Sequence, residues 1–343
     1  MEMILAYIDL LGFTKMIEKN QKKSEEILLQ FYDIAFQIIN NDDRLKGNIS
    51  SDCLLVYSES YPALINCLTE IYRGCFLWND SFTDPDFYLL PRGAVSIGEM
   101  IIGQRDTSMT ITKDFMIGKA LVHSSKLEPL IKGSRLVVAV HNKDEQQVEA
   151  LLYNKEICSL LYRNCTFKFW KDYSYVDALW FLDLNKPHLE QKKQVVQLVN
   201  IAIKLATKNN RNKKVLTHYV NTLRIGLLSY APFIENEEDQ IIKNVMKEFR
   251  AGHYWLIWLT LIEILLNNQN KKSYSEWRSL QLFYKKVSLE KSWIYILEEI
   301  NKPEKAYLKK DIQRFINLSL IHISEPTRPE RISYAVFCLK KKN

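Results

Sequence analysis

The sequence predicts an α+β fold, with a ferredoxin-like split βαβ domain followed by an all-helical region. Two observations carry this prediction. Between residues 3 and 97, short apolar runs and amphipathic stretches follow one another in the order strand, helix, strand, strand, helix, strand. After residue 187, the long stretches all have helical periodicity, and none alternates as a strand does. We therefore expect a sheet domain over residues 1–186 and a helical domain over residues 187–317.

The first strand is predicted over Met3–Asp9, a continuous apolar run that ends in a carboxylate and turns at Gly12. The next element is a helix over Ser24–Asn40, because apolar residues recur there at helical spacing and Ser24 is a suitable N-cap. The chain then forms a hairpin with Ser51 and Asp52 at its turn. The hairpin strands and the two elements after them are predicted at Gly47–Ser50, Cys53–Tyr57, a helix over Tyr61–Trp78 and a strand over Phe87–Ile97.

The later elements are read from the same periodicities. A polar ribbon after Gly98 is expected to form a loop or hairpin before a helix that starts near Gly118 and stops before Pro129. Two further strands are predicted at Arg135–Val140 and Tyr173–Leu184. The helical region is predicted at Gln191–Ala206, Lys214–Tyr230, Glu237–Phe249, Trp255–Leu266, Tyr274–Leu289 and Trp293–Glu299.

Composition favours a cytoplasmic globular protein. The chain has 343 residues, of which 47% are hydrophobic and 25% charged. Its six cysteines are scattered without CxxC spacing, which favours a reducing compartment and argues against structural zinc. No secretory signal is expected at the N-terminus. The most apolar window, His253–Leu266, contains Glu263 and is shorter than the roughly 20 residues that a membrane span needs, so we interpret it as a buried helix.

The segment 318–343 is interpreted as non-native. It contains LSLIHISEPTR and ISYAVFCLKKK, which resemble the in-frame translation of two sequencing-adapter blocks separated by an index. The segment carries five basic and two acidic residues, so removing its net +3 from the chain's +7 leaves +4. That balance is too mild to indicate nucleic-acid binding by itself.

Asp9 is the residue on which the functional argument depends. A carboxylate at the end of a buried strand is costly to desolvate unless a cation or hydrogen bonds meet it. A helix cap or a satisfied turn is one explanation, and a metal site is the other. In a split βαβ fold the first strand ends beside the hairpin tip, so Asp9 should approach Asp52, although a turn aspartate is the ordinary explanation for Asp52. Two carboxylates without histidine suit Mg²⁺ or Mn²⁺, and we place Cys53 on the opposite face.

The main chain after Asp9 is a candidate phosphate-binding segment. Residues Leu10, Leu11, Gly12, Phe13 and Thr14 turn from strand to helix, so successive N–H groups are expected to point at one place. Gly12 would let a ligand approach the main chain. A strand, a carboxylate, a turn and a helix start together indicate phosphoryl transfer with two metal ions.

At four places the sequence resembles the class III nucleotidyl cyclases, and more closely the bacterial Pycsar-type cyclases of antiphage defence. The matching stretches occur in the family's order and are YIDLLGFT at Tyr7–Thr14, SSD at Ser50–Asp52, RGAVSIG at Arg92–Gly98 and GKALVHSSKLE at Gly118–Glu128. The resemblance covers roughly residues 3–184. It implies a cyclase that converts a nucleoside triphosphate, with a pyrimidine base favoured, to a 3′,5′-cyclic nucleotide and pyrophosphate.

The resemblance also implies roles for individual residues. Asp9 and Asp52 would bind two Mg²⁺ or Mn²⁺ ions together with Leu10, the main chain over Leu10–Thr14 would hold the phosphates, and a homodimer would complete the pocket. Lys126 stands where adenylate and guanylate cyclases carry a catalytic arginine, and it keeps the charge without the bidentate fork.

Other features keep rival interpretations open. Val122 stands where those cyclases carry an asparagine, and it has no hydrogen-bonding group. This departure supports a catalytically silent module that binds a nucleotide or a partner. A polymerase-like palm shares the two aspartates, but it predicts a basic groove that the corrected charge does not support. Arg92 is expected to be an ion-pair or packing residue, because it begins a strand and does not face the Asp9 turn.

Overall fold

The computed structural model describes residues 2–81, 84–103, 115–141, 145–162, 173–208, 213–234 and 239–249, together with residues 257, 260 and 264. The strands are β1 (Glu2–Leu10), β2 (Lys46–Ser50), β3 (Cys53–Ser58), β4 (Pro91–Gly103), β5 (Phe115–Gly118), β6 (Leu136–His141), β7 (Leu161–Tyr162) and β8 (Tyr173–Ala178). The α-helices are α1 (Phe13–Lys19), α2 (Gln21–Ile39), α3 (Tyr61–Trp78), α4 (Lys119–Leu127), α5 (Glu145–Leu152), α6 (His188–Lys208), α7 (Lys213–Tyr230) and α8 (Gln240–Glu248).

The strands form one mixed sheet in the order β2-β3-β1-β4-β6-β8-β7, with β5 paired to β4. Strand β1 lies between β3 and β4 and is antiparallel to both, while β4 and β6 are parallel. The four strands β2-β3-β1-β4 have the order of a split βαβ unit. The predicted α+β fold is therefore confirmed, and every regular element described after residue 186 is helical.

Two predicted strands have different bounds in the structure. Strand β4 begins at Pro91, because Pro85–Phe87 form a 3₁₀ turn that Asp84 caps by accepting the Asp86 N–H at 3.1 Å. At its other end β4 continues to Gly103 and pairs with β5, which is the hairpin expected after Gly98. Strand β8 ends at Ala178. The apolar residues that follow are buried in a turn, closed by the 3.0 Å bond from the Leu182 N–H to the Leu179 carbonyl.

Helix α2 starts three residues earlier than the helix predicted over Ser24–Asn40. Asn20 caps α2, since its Oδ1 accepts the Lys23 N–H at 3.1 Å, and Ser24 lies inside the helix with its Oγ bonded to the Asn20 carbonyl. Helices α3, α4, α6, α7 and α8 form near their predicted positions, whereas α5 was not predicted. The predicted helices over 274–289 and 293–299, most of the one over 255–266, and the interpreted tail 318–343 lie outside the described residues.

The described residues fall into two compact units. The first contains the sheet and all helices through α7, up to Phe233, and the second contains Ile234, α8 and residues 257, 260 and 264. Helices α6 and α7 therefore group with the sheet, while the division into domains over residues 1–186 and 187–317 stays a prediction. Among the described residues, no helix combines the length and apolar character that crossing a bilayer requires.

The two faces of β1 have different environments. Ile4, Ala6 and Ile8 are buried on one face, and the alternate residues Met3, Leu5, Tyr7 and Asp9 lie on the other. On this second face a cluster of buried residues joins β1, β3 and β4 to α4 through Ala120. Asp9 thus lies at the end of the β1 face whose other residues pack beneath α4.

Candidate functional site

Asp9 lies at the end of β1 beside the hairpin tip. In the β1–β3 register Asp9 is opposite Cys53, and Asp52 is the next residue back along the chain, in the turn between β2 and β3. Burial and the negative charge of Asp52 both raise the pKa of Asp9. The convergence of the two aspartates expected from topology is present in the structure.

The hairpin tip is held from the side by α2. Ser51 has φ +53°, in the left-handed region that two-residue hairpin turns use. Its carbonyl accepts a hydrogen bond of 2.8 Å from the Tyr32 hydroxyl of α2. This bond limits how far the turn that carries Asp52 can move away from β1.

The partner of the Asp9 side chain is an arginine on the neighbouring strand. Arg92 of β4 is opposite Asp9 in the β1–β4 register, and its Nη2 lies 3.1 Å from Asp9 Oδ2. Its Nε contacts Oε1 of Glu128, at the C-terminal end of α4. The prediction that Arg92 forms ion pairs is confirmed, but the reason given for it was wrong, since Arg92 does face Asp9.

The alternative that Asp9 caps a helix is not seen. The N-cap of α1 is Gly12, and no side chain caps that helix. The Asp9 carboxylate instead accepts hydrogen bonds from Arg92 and from the Leu10 N–H. Its side chain remains 27% exposed, so it is open to a further ligand.

Burial dominates the protonation of both carboxylates. Desolvation raises the pKa of Asp9 and outweighs the lowering effect of Arg92. Burial likewise raises the pKa of Glu128 to about 7, against the attraction of Arg92, and its side chain is 5% exposed. A metal cation bound in addition to Arg92 would therefore stabilise the ionised forms of Asp9 and Glu128.

Cys53 and Tyr7 lie beside Asp9 on the same face of the sheet. Directly paired residues of antiparallel strands present their side chains on the same face, so the placement of Cys53 opposite to Asp9 was wrong. The Tyr7 hydroxyl and the Cys53 thiol share a hydrogen bond, which raises the pKa of Tyr7. Burial raises the pKa of the Cys53 thiol, so it stays protonated at neutral pH and is a poor metal ligand in that form.

The N–H and carbonyl groups that follow Asp9 point toward different neighbouring strands. The Leu11 N–H donates to the Leu90 carbonyl at 3.0 Å on the β4 side, so that N–H is not available to a phosphate. Across a trans peptide the Leu10 carbonyl points the opposite way, toward β3, beyond the last β1–β3 pair at Asp9 and Cys53. The Leu10 carbonyl is thus directed toward the side where Asp52 lies.

The next residues form the turn into α1. Gly12 has φ +80°, and no atom lies within 4 Å of the position a Cβ would occupy, so the main chain is open to solvent there. Phe13 is buried and anchors the turn, whereas Thr14 is exposed. The first N–H groups of a helix have no partner within it, so those of Gly12, Phe13 and Thr14 are the candidates in the predicted phosphate-binding segment.

Lys126 lies on the exposed face of α4. Ala120, Ser124 and Leu127 are buried and define the inner face of α4. Val122 is 46% exposed, and Lys126, one turn further along the helix, is also exposed on the outer face. A catalytic role for Lys126 stays a prediction.

The donor set fits a hard divalent cation better than a soft one. Asp9, Asp52 and Glu128 bring three carboxylates near one guanidinium, which leaves an excess of negative charge. Within the described residues there is no group of three or more His, Cys, Asp or Glu side chains that could hold a metal ion. Two carboxylates and a carbonyl suit Mg²⁺ or Mn²⁺, which keep waters and take further oxygens from substrate phosphates.

Sequence reasoning missed Glu128, Tyr7 and the side of the sheet on which Cys53 lies. A signal for Cys53 was available, since the strand period and a two-residue turn fix which hairpin residues face Asp9. Glu128 could not be found in this way, because its contact with Arg92 depends on the angle at which α4 crosses the sheet.

No family model matches the sequence, and no curated protein matches it. Solved structures similar to this chain include the guanylyl cyclase Cya2, with 17% identity and a TM-score of 0.41, covering 52% of this chain and 91% of that one. The adenylyl cyclase CyaB from P. aeruginosa has 12% identity and a TM-score of 0.39, covering 52% and 93%. A bacterial light-regulated adenylyl cyclase has 16% identity and a TM-score of 0.40, covering 57% and 97%. The assignment of the fold rests on the strand order of the sheet.

Proposed function

We propose that this protein is a nucleotidyl cyclase that converts a nucleoside triphosphate to a 3′,5′-cyclic nucleotide and pyrophosphate. The observation that carries the proposal is the convergence of Asp9 and Asp52 at one end of β1 and β3, beside an open glycine turn. Two carboxylates next to a segment with unpaired N–H groups form a site for a cation and a polyphosphate together.

Each residue has a distinct role in this proposal. Asp9, Asp52 and the Leu10 carbonyl would hold Mg²⁺ or Mn²⁺, which when bound polarises phosphate oxygens and lowers the pKa of a coordinated hydroxyl. The N–H groups of Gly12–Thr14 would bind the phosphates and orient the α-phosphorus toward the ribose 3′-oxygen. Arg92 keeps Asp9 in place on the sheet side.

Lys126 and the base specificity extend the proposal. Because Lys126 lies on the outer face of α4, we assign it to the triphosphate bound by a second copy, so the active form would be a homodimer. A pyrimidine base and a role in antiphage signalling are proposed from the resemblance of the four motifs.

A second candidate is a catalytically silent module that binds a nucleotide. The observation in its favour is that Asp9 is already paired with Arg92, which partly neutralises it without a metal ion. Val122 adds to this, because an exposed valine offers no hydrogen bond to a ribose.

The test incubates the full chain with each of the four ribonucleoside triphosphates and Mn²⁺, and measures pyrophosphate and cyclic nucleotide. We expect product from at least one of them, with a pyrimidine nucleotide preferred. Asp9→Asn and Asp52→Asn should each lower the rate at least about 100-fold, since each removes a charged ligand.

The matched control is Asp33→Asn, which removes an exposed carboxylate from α2 beside Tyr32 and should leave the rate unchanged. Nucleotide binding without product from any of the four, by a folded dimer, would favour the silent module. Full activity in Asp9→Asn would refute the metal assignment.

A further inference from the structure

The guanidinium of Arg92 is divided between two carboxylates. Its Nε contacts Glu128, and its Nη2 lies 3.1 Å from Asp9 Oδ2. Its third nitrogen, Nη1, donates to the Ile131 carbonyl at 3.4 Å. Each of the three guanidinium nitrogens of Arg92 therefore contacts an oxygen atom.

Other arginines of this chain use the same two nitrogens differently. Arg135 donates from Nε and Nη2 to the two oxygens of Asp177, at 2.8 and 2.9 Å. Arg44 binds Asp42 in the same bidentate way, at 2.8 and 2.6 Å. A bidentate grip is the stronger arrangement for one carboxylate, and Asp9 receives half of it.

Glu128 is the residue that takes the other half. It lies at the end of α4 with its side chain 5% exposed, and Arg92 is 14% exposed, so solvent screens this pair weakly. Burying such a pair contributes little to stability compared with apolar residues of the same size. The Arg92–Glu128 pair has its clearest electrostatic effect on Asp9, because the attraction between Arg92 and Asp9 is weaker while Glu128 binds the guanidinium.

Resting on the proposed function, we propose that Arg92 and Glu128 are positioning residues that set the cation affinity of the Asp9 site in opposite directions. Arg92 competes with the cation for the Asp9 carboxylate and holds the site together in its absence. Glu128 draws the guanidinium toward α4 and so makes Asp9 available to the cation.

The Coulomb sign of each change follows from this arrangement. Arg92→Gln removes a positive charge beside the site and should tighten Mn²⁺ binding on the order of tenfold. Glu128→Gln leaves Arg92 to act on Asp9 alone and should weaken Mn²⁺ binding roughly three- to tenfold. A pair with a merely structural role would change stability without shifting the affinity of the folded protein in opposite directions.

The experiment measures Mn²⁺ binding to the full chain, without nucleotide, from the electron paramagnetic resonance signal of free Mn²⁺. The wild type, Asp9→Asn, Arg92→Gln and Glu128→Gln are compared after circular dichroism has verified that each is folded. The matched controls are Glu99→Gln and Lys119→Met, which alter an ion pair between β4 and α4 whose side chains are 80% and 73% exposed. These should change the affinity less than about twofold.

The outcomes separate the two proposals. If the Mn²⁺ affinity does not depend on Asp9, the metal site of the proposed function is refuted, and this inference with it. If binding depends on Asp9 but Arg92→Gln and Glu128→Gln shift it in the same direction or not at all, only this inference is refuted. Should Arg92→Gln fail to fold, the isosteric Glu128→Gln decides alone, since unchanged or tighter binding in it would overturn the inference.

Discussion

Glu128 should make the stability of the protein fall as the pH rises from mildly acidic to neutral. Burial raises its pKa from 4.5 to about 7 in the folded chain. The unfolded chain therefore releases this proton near the lower value, and the folded chain holds it until the higher one. As the pH rises from the unfolded pKa to the folded pKa, the free energy of unfolding falls. Once the pH exceeds the folded pKa, the contribution that Glu128 makes at low pH is lost.

The size of the effect follows from the shift. At about 1.4 kcal/mol for each pKa unit, the free energy of unfolding should fall by about 3 kcal/mol through Glu128 alone. Glu128→Gln lacks this proton, so the difference in unfolding free energy between wild type and variant should change by that amount between about pH 4 and about pH 8. The raised pKa of Asp9 makes stability fall with rising pH as well, in the wild type and in Glu128→Gln alike.

The assay is urea unfolding followed by circular dichroism in a buffer with a metal chelator. Glu99→Gln is the control, because its side chain is 80% exposed and its stability should run parallel to that of the wild type. Parallel curves for wild type and Glu128→Gln would refute the reasoning, because they would show that Arg92 keeps Glu128 ionised throughout.

Two further predictions concern the backbone and the core. Gly12→Ala should cost about 1 kcal/mol in unfolding free energy, because φ is +80° and the added methyl meets no neighbour that could offset the strain; an unchanged value would contradict a left-handed turn. Arg135→Met should cost about 3–5 kcal/mol, because it leaves Asp177, which is fully buried, without its bidentate partner. Arg44→Met, which breaks the pair that the exposed Arg44 forms with Asp42, should lower the unfolding free energy far less than Arg135→Met does, and equal losses for the two arginines in denaturant titrations would count against this account.

The fold could be predicted where one segment carries its own signal. Strand β1, the β2–β3 hairpin and helix α3 are each marked by local periodicity, and the hairpin is marked also by Ser51 and Asp52 at its turn. The run after Tyr173 misled the prediction, because Trp180 and Phe181 are as apolar as strand residues but fill the core from a turn. Burial explains their composition there, and hydropathy does not distinguish the two arrangements.

The candidate site could be predicted only in part. Asp9 and Asp52 converge because the order of the strands requires it, and that order was readable. The contact between Asp9 and Arg92 depends on the register of two strands far apart in sequence, which local pattern does not encode. The place of Lys126 on the outer face of α4 depends likewise on which helix face packs against the sheet.

The position of β1 between β3 and β4 links the site to the way the chain folds. The pair of Asp9 and Arg92 closes a loop of 83 residues, and the hairpin that brings Asp52 must dock on the opposite edge of the same strand. Closing so long a loop costs entropy before its contacts form, so pairing of this kind is slow compared with helix formation. The cluster of Asp9, Asp52, Arg92 and Glu128 is therefore assembled only when four separate stretches of chain have met, namely β1, the β2–β3 hairpin, β4 and the end of α4, so the candidate site forms only after the central strands have paired.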